Sequence, residues 1–238
     1  MHTAKQLNQV VDLGRVRLLE MACMVSGLDF DSLTKNSHSQ INQDIFVLSQ
    51  LNGLSSGFFV EFGATDGVGL SNTFQLEKVF GWTGILVEPG RNWKEKLAVN
   101  RNCHKDFRCV TAKSGDLVHF MESSSPELST IKGFEGSDEN LRETSNSYDV
   151  ESVSLEDLLD ENKAPKIIDY LSIDTEGSEF LILENFNFNK YKFRVITCEH
   201  NFTENRDKIH KLLIQKGYRR VWSEFTQFDD WYIHPELI

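Results

Sequence analysis

Short continuous apolar runs alternate along this chain with longer stretches in which apolar residues recur every three or four positions. The short runs predict buried strands. They occur at Phe58–Phe62, Ile85–Val87, Phe107–Val110, Leu117–Met121, Val150–Val153, Ile167–Ile173 and Phe193–Cys198. The periodic stretches predict helices at residues 72–80 and 93–99, and after Ser154, Glu179 and Thr203. This order of strand and helix predicts an α/β fold.

The carboxyl-terminal part of the chain predicts how the sheet ends. Tyr218–Trp222 and Phe228–Ile233 are apolar runs with no helix between them. Alternation that finishes in two adjacent strands predicts a Rossmann-like, mostly parallel sheet with an antiparallel edge. Ser154 and Thr203 are the predicted caps of the helices that follow them. Residues 122–148 have no clear period, so we expect a long loop there that is functional or disordered.

Two helices are predicted ahead of the first strand. Residues 4–28 carry apolar side chains at helical spacing with charges between them, and residues 39–51 repeat that pattern before Gly53. The first helix has two interpretations. It either packs on the domain, or it serves as a dimerisation element or as part of a substrate lid. A homodimer is therefore one expectation for this chain.

Charge and cysteine content narrow the classes of function. The 238 residues carry a formal net charge of −11, which argues against a nucleic-acid partner because phosphate binding calls for a basic surface. The four cysteines show no CxxC spacing and are expected to be free thiols in a reducing cytosol. Charges early in the chain argue against a signal peptide, and we expect no membrane span. A cytoplasmic location is the expectation.

The turn after the first strand is the most informative chemical feature of the sequence. Its glycines Gly63, Gly67 and Gly69 have the spacing GxxxGxG, which is wider than the GxGxxG of dinucleotide sites. Glu61 and Asp66 flank this turn. Carboxylates repel a pyrophosphate but favour a cationic sulfonium and ammonium. The turn therefore suits S-adenosylmethionine better than NAD or ATP.

Ligands bind at the carboxyl ends of the strands in a doubly wound sheet, so polar residues at those ends are the candidates for cofactor binding. Backbone amides of the turn after the first strand, which contains Ala64, and of the 71–73 segment, which contains Asn72, are expected to hold the methionine carboxylate. Glu88, before Pro89, is expected to accept hydrogen bonds from two ribose hydroxyls, and the alternative is a solvated turn residue. The segment from Ala112 to Ser114 is placed beside the adenine.

Acidic residues and a histidine end the two later strands. Asp174 and Glu176 follow one strand, and Glu199 and His200 follow the next. Two uses are open for this cluster. One is a divalent metal, Mg²⁺ or Mn²⁺, that acidifies a substrate hydroxyl, and the other is general-base catalysis by His200. The alternatives are that the two acids cap the helix near Gly177 and that His200 is a surface residue.

Four segments together resemble the motifs of the FkbM-type methyltransferases. They are Val60–Gly67 with Ser71–Thr73, Gly84–Pro89, Tyr170–Glu179 and, ahead of the first strand, Ser39-Gln40-x-x-Gln43-Asp44. The resemblance covers about residues 38–233. It implies a domain over residues 38–238, preceded by a helical extension over residues 1–37.

That resemblance implies a seven-stranded class I methyltransferase fold that uses S-adenosylmethionine to methylate a hydroxyl, often on a sugar or a polyketide. Glu61, Gly63, Asp66 and Gly67 match the family's cofactor loop, Glu88 matches its ribose-binding acid, and Asp174, Glu176, Gly177 and Glu179 match its D-x-E-G-x-E signature. The full set of expected cofactor-binding residues is Gln43, Glu61, Gly63, Ala64, Asp66, Gly67, Asn72, Glu88, Pro89, Ala112, Ser114 and Asp174. Asp174, Glu176 and His200 are the expected catalytic residues.

Metal-dependent catechol and macrocin O-methyltransferases place acidic ligands at the same two strand ends. By that looser similarity Asp174, Glu199 and His200 are the candidate metal ligands. The expected acceptor is a small molecule or a glycan. The competing hypotheses are a catalytically silent S-adenosylmethionine-binding scaffold and a nucleotide-dependent oxidoreductase.

Overall fold

The computed structural model describes residues 4–134 and 143–238, with side chains from residue 6 onward. Three helices come first: α1 (Ala4–Val25), α2 (Phe30–Asn36) and α3 (Gln43–Gln50). The α/β part follows with β1 (Phe58–Phe62), α4 (Phe74–Lys78), β2 (Thr83–Val87), α5 (Lys94–Asn100), β3 (His104–Asp106), β4 (Cys109–Thr111), β5 (Leu117–Ser123), a 3₁₀ turn (Pro126–Leu128), β6 (Thr130–Ile131) and β7 (Thr144–Ser154). The remaining elements are α6 (Leu155–Glu161), β8 (Ile167–Ile173), α7 (Glu179–Glu184), β9 (Lys192–Glu199), α8 (Asn205–Gln215), β10 (Arg219–Val221) and β11 (Asp229–Ile233).

The main sheet has the strand order β10-β11-β9-β8-β1-β2-β3. Among its described strands, β11 alone runs against the others, since both β9 and β10 pair with it antiparallel. This arrangement confirms the predicted seven-stranded, mostly parallel sheet and its antiparallel edge. β1 and β8 begin and end where the apolar runs predicted, because strands buried on both faces are mostly apolar.

Both faces of this sheet are covered by helices. On one face, Val60 and Phe62 of β1 pack with buried side chains of α6, α7 and α8. On the other face, Phe59 packs with buried residues of α1, α3, α4 and α5. Leu19 and Cys23 of α1 are fully buried there, so this helix packs onto the domain. No helix in the described ranges has both the length and the hydropathy that crossing a bilayer requires.

The prediction of one long loop over residues 122–148 was largely wrong. β5, β6 and β7 form an antiparallel sheet with the 3₁₀ turn at one end, and β7 also pairs in parallel with β4. We call β5, the 3₁₀ turn, β6 and β7 the arm. The predicted strands Leu117–Met121 and Val150–Val153 lie in β5 and β7. β6 and the first half of β7 were missed, because β6 has two residues and β7 begins with exposed polar residues. Residues 135–142 of the predicted loop lie outside the described residues.

Two smaller predictions also need correction. The strand predicted at residues 107–110 begins only at Cys109, as β4, and it lies outside the main sheet. Asp106, the last residue of β3, accepts hydrogen bonds from the backbone and guanidinium of Arg108 and turns the chain between the two sheets. Thr203 does not cap α8, which begins at Asn205 after Glu204. The Ser154 cap is confirmed, since its hydroxyl accepts from the backbone N–H of Asp157 at 3.1 Å.

Candidate active site

A cleft of about 320 Å³ lies at the carboxyl ends of the central strands, and the arm forms one of its walls. The predicted site residues that line it are Gln43, Glu61, Gly63, Asn72, Glu88, Pro89, Asp174, Glu176 and Glu199. The predicted residues that do not line it are Ala64, Asp66, Gly67, Ala112, Ser114 and His200. The structure thus brings together residues from both halves of the sheet.

Gly63 sits where β1 and β8 come closest beneath the cleft. Its φ is +72°, and a Cβ on it would lie 2.3 Å from the carbonyl oxygen of Asp174. Both the left-handed backbone and the close approach require glycine. The turn after β1 can therefore pack against the backbone of Asp174 only because residue 63 has no side chain.

The Glu61 carboxylate accepts its hydrogen bonds from groups of the protein itself. This buried carboxylate accepts from the backbone N–H of Asn72 at 2.6 Å and from the Thr73 hydroxyl at 2.5 Å, and the guanidinium of Arg101 lies 3.8 Å away. Burial raises the pKa of Glu61, and Arg101 acts in the opposite direction. Glu61 therefore fixes the turn into α4. Sequence reasoning missed the fully buried Arg101, which no motif distinguishes from a surface arginine.

The amides of the first turn are already occupied. Gly63 and Ala64 donate to the carbonyl of Val87, and Thr65 donates to Glu88. The Oδ1 atom of Asp66 accepts from the backbone N–H groups of residues 68 and 69. Asp66 therefore stabilises the turn locally, and the amides of residues 63–65, 68 and 69 donate within the protein in this structure.

The Asn72 side chain offers a hydrogen-bond acceptor to the cleft. Its Nδ2 donates to the Ser172 hydroxyl at 2.9 Å, and its buried Oδ1 has no partner among the described residues. A buried acceptor without a donor is costly. Asn72 is therefore suited to receive a hydrogen bond from a ligand.

Glu88 lies at the end of β2 with its carboxylate held in place. One oxygen accepts from the backbone N–H of Thr65 at 2.8 Å and the other from that of Gly90 at 2.7 Å. Burial raises the pKa of Glu88 to about 7. Each oxygen keeps a further lone pair, which suits a pair of vicinal hydroxyls.

The segment that was predicted to lie beside the adenine, Ala112 to Ser114, does not line the cleft. Ser114 lies outside the cleft, where its hydroxyl contacts the Asp157 carboxylate and accepts from the Ser154 backbone. The cleft wall is formed instead by Cys109, Val110 and, from the arm, Phe120. The difference follows from the chain leaving the main sheet after β3, which the sequence did not reveal.

Three carboxyl groups converge at the ends of β8 and β9. One oxygen each of Asp174, Glu176 and Glu199 lies within 4.8 Å of the others. Burial raises the pKa of Asp174 to about 7 and that of Glu199 well above its ordinary value. The Asp174 and Glu199 carboxyl groups lie within hydrogen-bonding reach of each other, and neither forms an ion pair within the described residues.

His200 is not brought into this cluster. Its Nδ1 accepts from the Phe202 backbone at 2.9 Å, and its Nε2 lies 3.7 Å from Asp230. Consecutive residues of an extended segment point to opposite faces, so Glu199 and His200 cannot both enter the cleft. Burial lowers the pKa of His200 to about 4. The geometry places Glu176, not His200, with the other two expected metal ligands.

A comparison with known sequences decides the family. The profile of the Methyltransferase FkbM domain matches residues 61–231, which is more than half of the chain. This chain belongs to the FkbM methyltransferase family. Membership implies S-adenosylmethionine as the methyl donor.

Among solved structures, the FkbM chain resembles the precorrin-6y C5,15-methyltransferase of Geobacter metallireducens GS-15 with a TM-score of 0.42. The two are 13% identical over 80% of this chain and 85% of that one. No curated protein matches the sequence significantly.

Asp229 is a residue of the FkbM site that sequence reasoning missed. It lies beside Glu199 in the register of β11 and β9, and its Oδ2 accepts from Gln43 Nε2 at 3.2 Å and from Trp231 Nε1 at 3.1 Å. Burial raises the pKa of Asp229 to about 7. Its position at the start of the antiparallel strand was the signal that could have marked it.

Besides the pairing of β7 with β4, side-chain hydrogen bonds link the arm to two loops of the FkbM domain. The buried Glu122 carboxylate accepts from the Tyr148 hydroxyl at 2.6 Å, and that hydroxyl accepts from the backbone of Arg91 at 2.8 Å. At the other loop the Thr130 hydroxyl donates to the carbonyl of Glu176 at 3.0 Å. The arm therefore contacts both the loop after Glu88 and the acidic turn.

Proposed function

We propose that this protein is an S-adenosylmethionine-dependent O-methyltransferase whose acceptor is a hydroxyl of a sugar, a glycan or a glycosylated small molecule. One observation carries the proposal: Asp174, which is partly buried, and Glu199, which is buried, meet in the cleft with oxygens within 4.8 Å of each other and without a basic partner among the described residues. A carboxylate whose pKa lies near neutrality suits removal of a hydroxyl proton.

The donor set of the cleft fits the cofactor. Glu88 would hold the ribose hydroxyls, Asn72 Oδ1 would accept a hydrogen bond, and Val110 and Phe120 would contact the base. When bound, the cofactor supplies an activated methyl group on a sulfonium whose leaving group is a neutral thioether. Glu61 shapes this site by fixing the turn that carries Asn72.

The residues of the chain then have separate tasks in the proposed reaction. Asp174 accepts the proton of the acceptor hydroxyl at a carboxylate oxygen, and the hydrogen bond with Glu199 orients it. The arm excludes water from one side of the cleft through Phe120 and Ile131. Positioning of this kind supplies much of the barrier reduction in a displacement reaction.

The Asp174→Asn variant tests the enzymatic role. We expect turnover to fall by roughly two orders of magnitude or more, since general-base catalysis contributes about 10²–10⁴-fold. Affinity for S-adenosylhomocysteine should change little. Release of S-adenosylhomocysteine during incubation with candidate acceptors measures turnover, and Glu151→Gln on the exposed side of the arm is the control. Unchanged turnover would contradict the role of Asp174 and favour the alternative, a catalytically silent S-adenosylmethionine-binding scaffold.

The proposal extends to assistance by a divalent metal. Asp174, Glu176 and Glu199 offer oxygen ligands of the kind that Mg²⁺ and Mn²⁺ prefer, and a bound cation would offset their mutual repulsion. We expect chelator to abolish activity and added Mg²⁺ or Mn²⁺ to restore it. Full activity in chelator would eliminate the metal and leave Asp174 as the base.

A further inference from the structure

The charged side chains that line the cleft in the described part of the chain are all acidic. Among the described residues that line it, there is no Lys, Arg or His. Two of its acidic residues are already accounted for, because Glu61 braces the first turn and Glu88 has the proposed ribose role. Asp174 and Glu199 have the proposed role in proton transfer, and Glu127, Glu176 and Asp229 are further acidic residues of the lining.

Two basic side chains near β11 pair with an aspartate that does not line the cleft. Arg206 and Arg220 pair with Asp230 at 2.8 and 3.1 Å, and Asp230 follows Asp229 on β11. Alternation along that strand points the two aspartates to opposite faces. Asp229 therefore lines the cleft, while its neighbour holds the guanidinium groups away from it.

The polar groups of the cleft wall also favour donors over acceptors in the ligand. An ionised carboxylate accepts hydrogen bonds and donates none, and Glu127, Glu176 and Asp229 add three carboxyl groups to this wall. An ammonium group has three N–H donors and a positive charge, and it satisfies such a wall. A phosphate or carboxylate has acceptors alone and would be repelled by like charges. Phosphate sites ordinarily provide arginine, lysine or a helix N-terminus.

We propose that the methyl acceptor carries a protonated amino group, as an amino sugar does, and that phosphorylated, nucleotide-linked and carboxylated sugars are rejected. This inference rests on the proposed function, because the acceptor shares the cleft with the cofactor. It narrows the acceptor from any hydroxyl compound to the amine-bearing ones.

Calorimetry with matched sugars tests the inference. The protein is saturated with S-adenosylhomocysteine in buffer without divalent cations and titrated with glucosamine, N-acetylglucosamine and glucose 6-phosphate. We expect glucosamine to bind about tenfold more tightly than its N-acetyl form, the effect of one charge-assisted hydrogen bond, and the phosphate to give no binding. Binding of the phosphate, equal binding of the two amino-sugar forms, or no binding of glucosamine would overturn the inference.

The same titration separates this inference from the proposed function. Failure of S-adenosylhomocysteine itself to bind would contradict the methyltransferase proposal. Binding of S-adenosylhomocysteine without a preference for the amine would defeat the inference alone.

A charge variant on the arm provides a second test. Glu127 is an exposed residue of the 3₁₀ turn that lines the cleft, so Glu127→Gln should leave the fold intact. We expect its affinity for glucosamine to fall roughly two- to fivefold, as for a partly screened pair, with N-acetylglucosamine unaffected. The matched control is Glu151→Gln, which is also exposed on the arm but lies outside the cleft. An equal loss in both variants, or no loss in Glu127→Gln, would contradict a role for the charge.

Discussion

Burial of carboxyl groups is the main feature of the cleft at the scale of single residues. Burial raises the pKa values of Glu88, Asp174 and Asp229 to about 7, since the charged form loses its hydration. The folded state therefore binds protons that the unfolded state releases at lower pH. Stability that these groups contribute is present below the unfolded pKa of about 4 and is lost as the pH rises through about 7.

The Asp229→Asn variant isolates one of these titrations. The amide oxygen can accept both hydrogen bonds that Asp229 Oδ2 accepts, from Gln43 and Trp231. We expect the free energy of unfolding of the variant, relative to wild type, to rise by roughly 1–4 kcal/mol between pH 4 and pH 8, since one pKa unit is worth about 1.4 kcal/mol. Urea unfolding at both pH values measures this difference. The exposed Asp116→Asn is the control, and a difference independent of pH would show that Asp229 is not buried as described.

At the scale of elements, the arm connects the two proposed halves of the site. Thr130 is buried and donates to the carbonyl of Glu176, whose φ of +57° is unfavourable for a residue with a side chain. The hydrogen bond therefore holds the acidic turn in a strained conformation. Loss of the bond should loosen Glu176 without directly affecting Glu88.

The Thr130→Val variant tests this connection. It keeps the shape of the side chain and removes the hydroxyl, so we expect kcat/KM for the acceptor to fall roughly 5–10-fold, the equivalent of about 1 kcal/mol for one hydrogen bond. Affinity for S-adenosylhomocysteine should stay the same. Thr130→Ser retains the hydroxyl and should recover most of the activity. If the valine and serine variants behave alike, the hydrogen bond does not position the acidic turn.

At the scale of the whole molecule, the main sheet was predictable because its central strands are buried on both faces and read as apolar runs. The arm was predicted only in part, at Leu117–Met121 and Val150–Val153, since β7 begins with Thr144, Ser145 and Asn146 on an exposed surface. β3 was missed for a related reason: its three residues, His104–Asp106, contain no apolar side chain. Strands at an edge or outside the core lack the hydrophobic signal on which sequence reasoning depends.

In the candidate site, the sequence predicted where residues lie along the strands but not which way their side chains point. Residues that end strands were placed at the correct edge of the sheet, as Glu88 and Asp174 illustrate. The sequence does not show which way a side chain points once a strand has ended, so His200 was grouped with Glu199 although their side chains separate. Nor does it show that Glu61 is consumed by internal hydrogen bonds, because these depend on the distant Arg101.

The central claim is that the cleft binds S-adenosylmethionine with Glu88 on the ribose. Calorimetric titration of the wild-type protein and of Glu88→Gln with S-adenosylmethionine, S-adenosylhomocysteine and NAD tests it most directly. We predict roughly micromolar binding of the first two ligands, at least about tenfold weaker in the variant, and none of NAD. Binding of NAD alone, no binding of any ligand, or full affinity in Glu88→Gln would contradict the account.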